Sequence, residues 1–62
     1  MNNEFNLLTL EFKLRIETNV LEALVKALAS VNDADNAEKM VRLINKSMDK
    51  IIGFREELLQ YN

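Results

Sequence analysis

Leu8-Thr9-Leu10-Glu11-Phe12-Lys13-Leu14-Arg15-Ile16-Glu17 alternates apolar and polar residues without a break. A period of two marks a strand with one buried face, because successive side chains of an extended chain point to opposite sides. Coiled as a helix, the same segment would divide its apolar residues between two opposed faces, with Leu7, Leu10 and Leu14 on one and Leu8, Phe12 and Ile16 on the other. The alternation predicts a strand over residues 7–17 behind a tail over 1–6, against the helix preference of its leucines.

Beyond Glu17 the pattern becomes helical. Asn19 followed by Glu22 has the form of an N-terminal cap and predicts a first helix over 19–31, where Glu22, Lys26 and Ser30 make one narrow polar stripe in an otherwise apolar run. Asn32-Asp33-Ala34-Asp35 is the turn, and Asp35 with Glu38 caps a second helix over 35–60. In that helix Ala37, Met40, Val41, Ile44, Met48, Ile51, Ile52, Leu58 and Leu59 recur at spacings of three and four, while Leu43, Phe54 and Tyr61 widen the apolar face to about half the circumference. Gly53 costs about 1 kcal/mol relative to Ala and points to a kink, a close crossing or an early helix end. Arg55 projects into the apolar face of a continuous helix, where it needs an acid partner, or reaches water if Gly53 breaks the helix. Met40 and Met48 read as core.

The expected fold class is therefore α+β: a strand-helix-helix protomer forming one small domain over 1–62, with strands paired between chains in an obligate dimer or higher oligomer. A chain of 62 residues buries only about 60% of the surface its unfolded form exposes, so self-association is the expected route to a sufficient core. Antiparallel strand pairing centred on Phe12 would set Glu11 against Lys13 and Thr9 against Arg15 without opposing like charges.

Composition excludes several chemistries. With no Cys and no His, the chain has no thiol nucleophile, disulfide, thiolate or imidazole metal site, or side chain that normally titrates near neutrality. Ser and Thr hydroxyls lack a histidine to activate them, and a single Gly cannot build a phosphate loop. No enzyme activity, cofactor or metal is expected. Eight basic against ten acidic residues give a net charge of -2, so any anion-binding surface must be local. No apolar run approaches the roughly 20 residues of a membrane helix, and Met1-Asn2-Asn3-Glu4 has none of the features of a secretion signal, so a cytoplasmic protein is expected.

Two surfaces are candidates for binding. Lys39, Arg42, Lys46 and Lys50 fall within one quarter of the second helix and form a cationic stripe suited to an acidic protein surface or phosphate; a merely solvated face is the plain alternative. Phe54 and Tyr61, at the edge of the apolar face, are candidate aromatic contacts for a partner. The other surface is the outward strand face, with Thr9, Lys13 and Arg15 among Glu11 and Glu17.

The order strand, short helix, turn, second helix resembles the ribbon-helix-helix repressors and antitoxins, and that resemblance would place Thr9, Lys13 and Arg15 in the major groove of DNA. Glu11 and Glu17 would cancel the two bases on this face, so DNA binding stands as the alternative reading. The run Leu8 to Ile16 followed by Leu21-Glu22-Ala23-Leu24-Val25-Lys26-Ala27-Leu28 is similar to short accessory proteins of phages and prophages, which implies a small regulator or inhibitor of a host protein, such as a defence system. The expected partners are a second copy of the chain and a host protein.

Overall fold

The computed structural model describes residues 3–61, and they form an antiparallel helical hairpin: α1 (Asn3–Leu28) and α2 (Ala34–Leu59), joined by residues 29–33. Among the described residues there is no strand, which overturns the α+β class, the strand over 7–17 and the inter-chain strand pairing centred on Phe12. Of the tail expected over 1–6, residues 1–2 lie outside the described residues and the remainder belongs to α1. Asn19 and Glu22, expected to begin a helix, lie in the interior of α1.

The physical reason is visible in the exposure of α1. Apart from Thr9, the shielded or half-shielded residues described in α1 are Leu7, Leu10, Leu14, Glu17, Leu21, Leu24 and Leu28, at spacings that alternate three and four. Ala37, Met40, Ile44, Ser47, Ile51, Phe54 and Leu58 repeat the same rhythm in α2. This is the heptad pattern by which two helices keep one seam in contact over several turns. The strict alternation of Leu8 to Ile16 arises because a second apolar set, Leu8, Phe12 and Ile16, lies away from that seam and interleaves with the first. Leu, Glu, Lys and Arg, which supply most of the segment, all favour helix.

Local chemistry sets the hairpin turn. The last turn of α1 tightens into i to i+3 bonds, Ser30 N–H to Ala27 O at 3.1 Å and Val31 N–H to Leu28 O at 3.1 Å. α2 is capped by Asp33, not Asp35: the Asp33 carboxylate accepts from the Asn36 backbone N–H at 3.1 Å and from the Asn36 side-chain amide at 2.8 Å. Glu38, expected to complete a cap with Asp35, instead pairs with Arg42 at 3.0 Å on the exposed side of the helix.

The hairpin is a rod whose Cα atoms span 50 × 14 × 14 Å. One layer of two helices shields little: Leu10 at 6% and Ser47 at 3% exposure are the two buried residues among those described. α2 runs through Gly53 without interruption, so the early end expected there is absent, and nothing crosses close to it, since a Cβ there would meet nothing within 4 Å. Arg55 is exposed although the helix is continuous, because it lies beside the seam and not within it. Met40 lies in the seam, whereas Met48 is exposed and not core.

Gly53 has an ordinary helical backbone, and a Cβ added there would meet nothing within 4 Å. Gly53→Ala should therefore raise stability by about 0.5–1 kcal/mol by removing backbone freedom from the unfolded chain. Urea denaturation of the two proteins checks this.

Candidate functional site

Glu17 and Ser47 occupy seam positions that the heptad reserves for apolar residues, and they meet. The Ser47 hydroxyl donates to the Glu17 carboxylate at 2.6 Å, with the Glu17 backbone carbonyl at 3.4 Å from the same oxygen. An O–H to carboxylate bond of this length is in the strong, charge-assisted range. Each polar residue is thus the reason the other is tolerated. The bond also marks the antiparallel register, with Ser47 of α2 level with Glu17 of α1. A slip by one turn would leave both polar groups facing apolar side chains.

Away from the seam the two helices differ. The outward side of α1 carries Leu8, Phe12, Ile16 and Val20, all exposed, with Leu8 at 61% and Phe12 at 63%; Ala23 and Ala27 continue the stripe toward the turn. Phe5, also exposed, begins it. Thr9 and Thr18 turn their hydroxyls back onto the backbone of the preceding turn, donating to Phe5 O at 2.9 Å and Leu14 O at 2.8 Å. This internal use of their hydroxyls makes the surface less polar than its sequence suggests. Glu11, Arg15, Glu22 and Lys26 border the apolar stripe on one side.

The outward side of α2 is charged. Lys39, Arg42, Lys46 and Lys50 are all exposed there, as the spacing predicts, and Arg42 is engaged by Glu38. Lys39 borders an open hollow at the hairpin turn with Asp33, Asn36 and Leu43. Asp35, Asp49 and Glu56 share this side of the helix, so the cationic stripe is interrupted by acids. Phe54 is a half-buried seam residue, whereas Tyr61 is exposed beyond the end of α2, beside an open groove with Asn6, Thr9, Lys13 and Glu57. The structure does not bring Phe54 and Tyr61 together with the cationic stripe.

Thr9, Lys13 and Arg15 do not form one face. On a helix Lys13 and Arg15 are about 200° apart, so the outward strand face proposed for DNA is dispersed around α1. The strand-helix-helix order behind the ribbon-helix-helix resemblance is replaced, among the described residues, by two helices joined by a short connection. The residues that sequence reasoning missed are those of the outward α1 stripe. Their signal was the second apolar set at Leu8, Phe12 and Ile16, which a strand reading assigns to the core.

No cluster of three or more acidic residues among those described is placed to hold a metal ion. No helix among the described residues is long and apolar enough to cross a membrane. Compared with protein-family models, curated proteins and solved structures, the chain matches none.

Ser47→Ala should lower stability by about 1 kcal/mol, because the Glu17 carboxylate loses its seam donor. Adding Glu17→Leu should recover that loss or more, as an apolar side chain replaces a half-exposed carboxylate in the seam. A double-mutant cycle by urea denaturation with a coupling near zero would show that the two residues act independently.

Proposed function

We propose that the chain is a small non-enzymatic binding protein, a cytoplasmic regulator or inhibitor of a host protein of the kind phages deploy against defence systems. The observation that carries the binding reading is the outward face of α1. Exposed Leu8, Phe12, Ile16 and Val20 form a contiguous apolar surface on a short protein, and such patches mark protein contacts more often than idle surface. The chain has no His or Cys with which to assemble familiar catalytic groups, which favours binding over turnover.

The outward face of α2 supports the same reading with different chemistry. Lys39, Lys46 and Lys50 are exposed on a rigid helix and suit a partner with an acidic surface. Such charges steer encounter and set specificity, while apolar anchors supply the larger share of binding energy. DNA binding by Thr9, Lys13 and Arg15 is not carried forward, because the strand that would present them is helix.

The test is capture by a tagged full chain from host lysate, treated with nuclease, using wild type beside Phe12→Glu and Lys46→Glu/Lys50→Glu. A stoichiometric protein that survives nuclease, is lost with Phe12→Glu and is weakened about tenfold or more by the double charge reversal is the expected result. Capture unchanged by both variants, or recovery of nucleic acid alone that nuclease abolishes, overturns the reading.

A further inference from the structure

We propose that the outward face of α1 seats a second copy of this chain, laid antiparallel so that the two α1 helices meet near Asn19 inside a four-helix assembly. The proposal rests on the reading of that face as a protein-binding surface and names its occupant.

Area is the first argument. A compact monomer of 7.2 kDa should expose about 4,100 Å². This chain exposes 5123 Å². The excess, roughly 1,000 Å², is close to the ~800 Å² that each partner contributes to a standard stable interface. A second rod set alongside at the usual helix spacing of about 8–10 Å would cover the exposed stripe of α1 and place both α1 helices inside a row of four.

Side-chain size is the second. The stripe is tapered, with Leu8 and Phe12 in its N-terminal half and Ala23 and Ala27 in its C-terminal half. Antiparallel packing sets Leu8 against the partner's Ala27 and Phe12 against the partner's Ala23, so that large meets small toward both ends, with Ile16 against the partner's Val20 at the centre. Parallel packing would set Phe12 on its own copy and leave Ala23 facing Ala23. Interdigitated large and small residues are what a well-packed contact needs.

Charge selects the register. With Ile16 level with the partner's Val20, Glu11 faces the partner's Lys26 and Arg15 faces the partner's Glu22, each twice by symmetry. A slip of one turn in one direction opposes Glu11 to the partner's Glu22, and in the other it opposes Arg15 to the partner's Lys26. Parallel packing puts these four residues on opposite edges of the two-helix contact and forms none of these pairs. Like-charge juxtaposition is what excludes alternative pairings in helical assemblies. Asn19, the polar residue between Ile16 and Val20 on this side of α1, falls one residue from the level of the symmetry axis, close to its own copy.

The experiment uses the purified full chain. Sedimentation equilibrium should give a dimer, and Arg15→Glu should raise its dissociation constant about tenfold or more by opposing carboxylates at two places. Arg15→Glu with Glu22→Arg should restore it to within about threefold, a rescue that a folding defect would not give. Because the chain has no Cys, N19C gives each protomer one thiol near the axis and should form an inter-chain disulfide under mild oxidation. L8C should not, since its two copies lie about 30 Å apart in this arrangement. A monomer at all concentrations, failure of the charge swap to rescue, or L8C linking as readily as N19C overturns the proposal. Should the chain prove monomeric while Phe12→Glu still abolishes capture of a host protein, the second-copy seat fails and the protein-binding reading stands.

Discussion

Two helices lying side by side can shield one stripe each, and every other feature of this molecule follows from which stripe is chosen. In α2 the choice is simple, because the side opposite the seam is charged. In α1 there are two apolar stripes on opposed sides, and contact with α2 covers the one built on Leu7, Leu10, Leu14, Leu21, Leu24 and Leu28. The hydrophobic effect does not distinguish between them strongly, since both are rich in large apolar residues. The distinction is made by Glu17 and Ser47, whose hydrogen bond satisfies a polar group on each helix only when this stripe, in this register, faces α2.

A polar pair in the seam, one member buried and the other half-exposed, is a poor source of stability and a good source of uniqueness. Removing the Ser47 hydroxyl from water is offset by the strong acceptor it finds, with little net gain. Alternative arrangements, in which α1 turns its outward stripe to α2 or slides by a turn, leave Ser47 against hydrocarbon and lose the bond altogether. The role resembles that of a single polar residue in a coiled-coil seam, which fixes register at some cost in stability.

The second helix was largely legible. Its expected bounds, 35–60, differ by one residue at each end from Ala34–Leu59, because three-and-four spacing with a charged opposite side admits one reading. Its cap was misplaced by two residues because Asp33 and Asp35 both qualify by type, and the choice falls to Asn36, whose amide and backbone N–H both reach Asp33. The first helix was misread for a physical reason. Opposed helical stripes at 7, 10, 14 and at 8, 12, 16 sum to an alternation over ten residues, and Glu17 interrupts the heptad just where its continuation to Leu21 and Leu24 would have exposed the error. Glu17 and Ser47 each look like a flaw when either helix is read alone. Only as a pair, level with one another across an antiparallel hairpin, do they read as a lock. The cationic stripe Lys39, Arg42, Lys46 and Lys50 was legible as a surface because exposure on a helix follows from spacing. The outward apolar face of α1 was not, because a strand reading assigns Leu8, Phe12 and Ile16 to a core.

The two outward faces also constrain what an assembly of this chain can do. With α1 covered by a second copy, both α2 helices lie on the outside, and their charged sides face away from each other across the symmetry axis. Such a particle has an apolar interior four helices thick and two identical cationic ridges, each bearing Lys39, Lys46 and Lys50. Contact with an acidic partner would then be twofold. Its strength would depend less on the charges of one ridge, which salt screens over about 10 Å, than on whether both ridges can be engaged at once. A hairpin too small to bury its own surface would gain from such pairing both a core and a second copy of its charged face, which would link the stability of this fold to any function that those faces perform.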